Sequence, residues 1–371
     1  MLRCGNAAVR FDWQSGRIAD EWVKDSVPYW RELAKRTRGW LLQAAIGALL
    51  LGLAIWQVDL GRVGDSLRGA HYQWAVLAVT IYALTRLIHT VTWQVYLTKV
   101  GRVPFPGLFG AFVIGNFVNN ILPARVGDVA TIQIVANRYG LSRAGVIAAS
   151  GAETVLDGGV LVVLMLMAIA LLDVTFAPPI LLWTLSLIAL VLFVAIAIVS
   201  RLVPEEMPRI RWLDRLPEGS MRVLRDAWPR IHAGLEALRN ERLLALTLAL
   251  TFVGYLAEVL TFWAFGRAFG IALPLSAYVS VTVAVSFVRT FPITFQNIGT
   301  YEVVLIGLLR SQGVATGDAL SYAVATRILV SLAIAAMGLA AMWLMGMRPR
   351  EVFGLRSISS SIDERKDANA S

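Results

Sequence analysis

Apolar residues run along this chain in stretches far longer than a strand and without alternation, and polar residues interrupt them at a few sharp points. Six stretches reach or approach the roughly 20 residues that a helix needs to cross a bilayer. They are Trp40–Val58, Trp74–Leu97, Ile147–Leu172, Ile180–Val199, Leu243–Phe265 and Ala319–Met345. Two others stop short. Phe105–Leu122 runs into Pro123, and Leu275–Phe291 runs into Pro292 and then Gln296-Asn297-Ile298-Gly299. Each is followed by a second short helical pattern, Val126–Tyr139 and Gly299–Arg310. The pattern predicts an all-α integral membrane protein of about six full transmembrane helices plus two re-entrant helical hairpins, each made of two half-helices meeting inside the membrane. Two full spans apiece, kinked at the prolines, are the alternative.

The segment between the first pair of short helices is the most polar point of the apolar region. It reads Asn119-Asn120-Ile121-Leu122-Pro123-Ala124-Arg125-Val126-Gly127-Asp128. Lipid tails offer these groups no hydrogen bonds, and a charge at bilayer depth costs roughly 2.5–3.5 kcal/mol. Such a stretch persists only where protein or a water-filled cavity covers it, so it marks a candidate site.

The second half of the chain carries an echo. After Pro123 come Asp128, Gly140 and Glu153; after Pro292 come Glu302, Gly313 and Arg327. Asp128 and Glu153 are 25 residues apart, as are Glu302 and Arg327. Each set ends in a long span carrying a charge. The echo suggests an inverted repeat, in which substrates bind where broken helices meet.

Composition sharpens the class. Of 371 residues, 57% are hydrophobic and 16% charged, well below the usual quarter of charged residues in soluble domains. The formal net charge of +9 reads as basic loops on the cytoplasmic side and contacts to anionic head groups, not as nucleic-acid binding. The N-terminal arm, Lys99 and Arg102, the arginines of 200–242, and Arg348 and Arg350 fall on one side if both termini are cytoplasmic. The first hairpin then enters from the cytoplasm and the second from outside. The chain divides into a cytoplasmic amphipathic arm (1–39), a polytopic membrane domain (40–346) with a cytoplasmic amphipathic loop (200–242), and a polar tail (347–371) that reads as disordered.

One cysteine, Cys4, leaves no internal disulfide, and His71, His89 and His232 lack metal-ligand spacing; no cofactor or metal is expected. There is no phosphate-loop, nucleophile-elbow or zinc-helix motif. The charged residues that remain are Arg125 and Asp128 at the first tip, Glu153 and Asp157 on one face of a span, Arg289 and Glu302 flanking the second tip, Arg327 in the last span, and Arg86 with His89 on the second. Half-helix N-termini and arginine forks suit phosphate. Glycine and asparagine allow close backbone approach. The candidate substrate-binding set is Asn119, Asn120, Pro123, Arg125, Gly127, Asp128, Glu153, Asp157, Arg289, Asn297, Gly299, Glu302 and Arg327. Arg125 and Arg289 are the expected phosphate contacts.

The run Gly115–Asp128, with Gly140-Leu141-Ser142 leading to Glu153 and Asp157, resembles the first signature of the lysylphosphatidylglycerol synthase transmembrane family. Gly299-Thr300-Tyr301-Glu302, Gly313-Val314 and Arg327 resemble its second, over residues of about 40–346 in all. The family includes the flippase half of the multiple peptide resistance factor, which moves aminoacylated phosphatidylglycerol between leaflets. The resemblance implies lipid translocation with no attached synthetase. Thr154 stands where the family often has arginine, Thr294-Phe295-Gln296-Asn297 where it has a Pro-Gly-Gly-like turn, and Asp128 where glutamate is frequent. These differences bear on the head group more than on the fold.

The expected function is therefore flipping of a phospholipid or other phosphate-bearing lipid across the bacterial cytoplasmic (inner) membrane, without enzymatic chemistry. A membrane-embedded lipid-modifying transferase, or an accessory subunit of one, is the alternative; a solute or ion transporter is the third. A homodimer or a lipid-modifying enzyme would be the protein partner.

Overall fold

The computed structural model describes residues 68–122, 125–171, 218–290, 294 and 297–347, with isolated positions between 184 and 206. All the described regular structure is helical. The helices are α1 (Tyr72–Tyr96), α2 (Phe105–Asn119), α3 (Val126–Tyr139), α4 (Arg143–Leu171), α5 (Glu218–Gly234), α6 (Glu236–Arg239), α7 (Glu241–Ala268), α8 (Leu275–Thr290), α9 (Thr300–Ser311) and α10 (Thr316–Leu344). Contacts divide the chain into two units, and every described residue falls in the one spanning Ala44–Met347. The expected span Trp40–Val58, most of Ile180–Val199, the arm 1–39 and the tail beyond 347 lie outside the described residues, as do Pro123, Pro292 and Gln296.

Four helices, α1, α4, α7 and α10, are long and apolar enough to cross a membrane. Their outward faces carry exposed apolar side chains, among them Val76, Leu84, Phe252, Leu256, Leu332 and Trp343. In water such a surface would be costly; against lipid it is the solvated face. Polar side chains inside these helices satisfy themselves locally. Thr85, Thr90, Thr92 and Thr261 each donate to the carbonyl four residues back, which keeps a hydroxyl paired without water. Buried Tyr278 donates to the Ile271 carbonyl at 3.0 Å and Tyr322 to that of Phe262 at 2.8 Å.

Local sequence fixes the boundaries. Pro106 sits in the first turn of α2, where a missing N–H costs nothing. The Asn240 side chain accepts from the N–H groups of Arg242 (3.0 Å) and Leu243 (3.2 Å) and so opens α7. Gly140 (φ 63°) follows α3 and Gly313 (φ 84°) follows α9, each in the left-handed region that ends a helix cheaply for glycine.

The order long, short, short, long occurs twice: α1 to α4, then α7 to α10. The contacts repeat with it. α1 packs along α7, the most extensive pairing in the unit. α2 packs on α3 and α8 on α9 within the two hairpins, α2 lies against α10, and α8 lies against α4. Each hairpin thus leans on the long helix of the other half. At 15, 14, 16 and 12 residues, the four short helices are about 18–24 Å long, less than a roughly 30 Å hydrocarbon core.

The hairpins are closely packed. A Cβ on Gly127 would collide with the Gly115 carbonyl and the Asn119 side chain, so α2 and α3 cross backbone to backbone. A Cβ on Gly338 of α10 would strike Phe117 of α2. Around the second hairpin, Phe265, Tyr278, Leu305, Leu309, Leu320 and Tyr322 form an apolar core. Within 200–242, α5 packs along α4, where Gly234 meets the Gly145 carbonyl and Ala148.

Candidate functional site

Both hairpin tips hold a residue other than glycine in the left-handed region, Arg125 (φ 55°) and Asn297 (φ 57°). That conformation costs an L-residue roughly 1–2 kcal/mol and persists where its surroundings over-determine it. At the first tip the ties are explicit. The Asn119 amide donates to Asp128 Oδ1 at 2.8 Å, and its carbonyl oxygen accepts from the Gly127 N–H at 2.7 Å. Arg125 Nε lies 2.8 Å from Asp128 Oδ2. One asparagine therefore staples the end of α2 to the start of α3, and the arginine lies over the same carboxylate.

The second tip is tied as firmly. Glu302, 2% exposed, accepts from the Gly299 N–H at 2.7 Å and pairs with Arg327 Nε at 2.5 Å. A carboxylate at the third position of α9 thus caps its own helix. Arg327 also donates to the Asn297 carbonyl at 3.0 Å and stacks over the Tyr301 ring at 4.6 Å. Thr300 donates to the same carbonyl at 3.1 Å, and Thr294 Oγ1 bonds the Ile298 carbonyl. Asn297 Oδ1 is buried without a hydrogen-bond partner among the described residues.

The two tips share α10. Asn120, at the first tip, accepts from the Ser331 hydroxyl at 3.1 Å and donates to the Ser331 carbonyl at 3.3 Å. Arg327, which holds the second tip, is four residues earlier on the same helix. Ser331 is the sixteenth of the 29 residues of α10. Both tips are thus held near the middle of one helix, with anchor points about 6 Å apart along its axis.

The acids of α4 meet side chains of α1 and α7. The helix starts at Arg143, four residues before the expected span, so Glu153 and Asp157 lie near its middle and not in its first turns. Glu153 accepts from the indole N–H of Trp93, and Asp157 from the Tyr255 hydroxyl at 3.1 Å.

One turn beyond Tyr255 on α7 is Glu258, 8% exposed. Its Oε1 lies 3.0 Å from Arg86 Nη2 and 3.4 Å from Arg289 Nη1. Arg86 stacks over Tyr82 at 4.7 Å, and Arg289 acts electrostatically on Tyr301, the ring beneath Arg327. These groups form a broken ribbon of separate clusters: Asp128 with Arg125, Glu153 with Trp93, Asp157 with Tyr255, Glu258 with Arg86 and Arg289, and Glu302 with Arg327 over Tyr301.

Twelve of the thirteen expected residues are described, and most fall on or beside this ribbon. Pro123 lies outside the described residues. Arg125 and Arg289 do not meet each other; each has its own carboxylate. Glu258, Trp93 and Tyr255 were not anticipated. Glu258 had a legible signal, being the one acid within the apolar stretch Leu243–Phe265. Among the described residues no group of acids, histidines and cysteines is arranged to hold a metal.

The family model described as the lysylphosphatidylglycerol synthase TM region matches residues 40–338. No curated protein matches the chain.

Proposed function

Since the chain belongs to the lysylphosphatidylglycerol synthase transmembrane family and is a multi-pass membrane protein, we propose that it translocates a phosphate-bearing lipid between the leaflets of the bacterial cytoplasmic membrane. The observation that carries this reading is that both hairpin tips, each with its own ion pair, are anchored one turn apart at the middle of α10. A polar head group needs a wet, charged route through hydrocarbon, while its tails need the apolar helix faces beside it. Two short-helix hairpins that each lean on the other half's long helix support an inverted repeat of re-entrant pairs. Both termini are then cytoplasmic, and the hairpins enter from opposite sides. Movement follows rocking of one repeat against the other, with Asp128–Arg125 and Glu302–Arg327 as gating pairs.

A second reading rests on Glu153 and Asp157, adjacent carboxylates held by neutral donors. They suit acid–base work in a lipid-modifying transferase or its accessory subunit. Reconstitution into liposomes with labelled phospholipids separates the two. Transfer between leaflets with the lipid chemically unchanged supports translocation. A new lipid species that forms only with a soluble donor supports the transferase, and flux of a solute without lipid movement removes both.

A further inference from the structure

Glu258 receives two guanidinium groups on a single oxygen. Arg86 and Arg289 both reach Oε1, at 3.0 and 3.4 Å. Each guanidinium carries five N–H donors, and among the described residues their ion pairs go to this carboxylate alone. Arg86 Nε is buried and has no hydrogen-bond partner among the described residues, on a side chain nine-tenths buried. Arg289, from the last turn of α8, leaves 42% of its side chain open. One arginine suffices to neutralise one carboxylate; a second on the same oxygen brings like charges together in a poorly screened setting. Asp157 lies within electrostatic reach of Arg86 but is bonded to Tyr255. The arrangement has surplus donors at one point, already oriented by Glu258 and by Tyr82 against the Arg86 face.

We infer that Arg86 and Arg289, drawn together and aimed by Glu258, form an oxyanion site that takes a phosphate group, carried by a lipid or free. This deepens the translocation reading and rests on it for the lipid source. It assigns the phosphate to a pair from α1 and α8, in place of the expected pair of Arg125 and Arg289. Planar guanidinium forks suit the two free oxygens of a phosphodiester. Glu258 sets how tightly: it competes for the same donors and keeps the site from trapping its ligand.

The test uses the full-length protein in mild detergent with equal amounts of phosphatidylglycerol and diacylglycerol of matched chains, read by native mass spectrometry. Wild type retains phosphatidylglycerol in preference. Arg86→Gln and Arg289→Gln each lower that preference by about tenfold, the scale of a lost charge-assisted fork. Glu258→Gln, which frees both forks, raises it. Arg310→Gln, at the exposed end of α9, leaves it unchanged. If a glutamine variant does not fold, Arg86→Lys and Arg289→Lys keep the charge, lose the fork and show a smaller drop. Competition by inorganic phosphate assigns the site to free phosphate as well; retention undiminished by it assigns the lipid head group. Equal retention of both lipids by wild type, or full preference in both arginine variants, overturns the inference. Wild type that binds phosphatidylglycerol here yet moves none between vesicle leaflets removes the translocation reading and leaves the oxyanion site standing.

Discussion

Neutralising Glu302 should release more than its own helix. The carboxylate is 2% exposed, caps the first turn of α9 through the Gly299 N–H, and is the anion paired with Arg327. Removing one member of a buried pair leaves the other charge uncompensated and costs about 3–5 kcal/mol. Glu302→Ala and Arg327→Met should each show a loss of that order. The double variant should not show the sum. With both charges gone the desolvation penalty disappears, and what remains is the lost cap, about 1 kcal/mol, with the lost contacts of Arg327 to Asn297 and Tyr301. The singles sum to at least about 6 kcal/mol and the double variant should lose only about 2–3, so the coupling energy from the double-mutant cycle should be at least about 3 kcal/mol. Reversible unfolding of detergent-solubilised protein, followed by far-ultraviolet circular dichroism against denaturant, measures all four corners. Additivity within about 0.5 kcal/mol, with singles below about 1 kcal/mol, would falsify the claim that this pair is a desolvated unit and make it an ordinary surface contact.

Other outcomes follow from the two tips. Arg125→Gly should change stability by less than about 1 kcal/mol, because relief of the left-handed backbone offsets a half-exposed ion pair, whereas Arg125→Val should lose about 1–2 kcal/mol; thermal midpoints in detergent rank the two. Gly127→Val should destabilise by about 1–3 kcal/mol or more, since its side chain meets the Gly115 carbonyl across the hairpin, and lipid transfer in vesicles should fall with it. In a Cys4→Ser background, Asn120→Cys with Ser331→Cys should crosslink readily on mild oxidation; failure there, with a normal melting profile, contradicts the placement of the first tip. Single cysteines at the hairpin mouths, Arg102→Cys and Gln312→Cys, both exposed, should react with impermeant maleimide from opposite sides of oriented vesicles, and labelling of both from one side would refute the inverted arrangement.

What the sequence made legible was punctuation and spacing. Pro123 and Pro292 marked the ends of two short helices; α2 ends at Asn119, three residues before the expected Leu122, and α8 at Thr290, one residue before Phe291. The 25-residue spacing from Glu302 to Arg327 corresponds to a direct ion pair. The equal spacing from Asp128 to Glu153 does not; Asp128 turns to Arg125 and Asn119, and Glu153 to Trp93. Spacing along a chain predicts a level on a helix, but not which way a side chain turns between neighbours. Partners drawn from distant helices were illegible for the same reason. Nothing local to Arg86 indicates that Glu258, 172 residues away, will meet it. Trp93 and Tyr255 looked like ordinary aromatic filling of apolar spans until their polar atoms were seen against carboxylates.

Ser331 and Arg327 sit one turn apart on a rod of about 43 Å, one fastened to each hairpin. A twist or slide of that rod reaches both hairpins in the same stroke. The two hairpins are therefore geared together through a single shaft, and loosening the grip on one while leaving the other untouched requires α10 itself to bend.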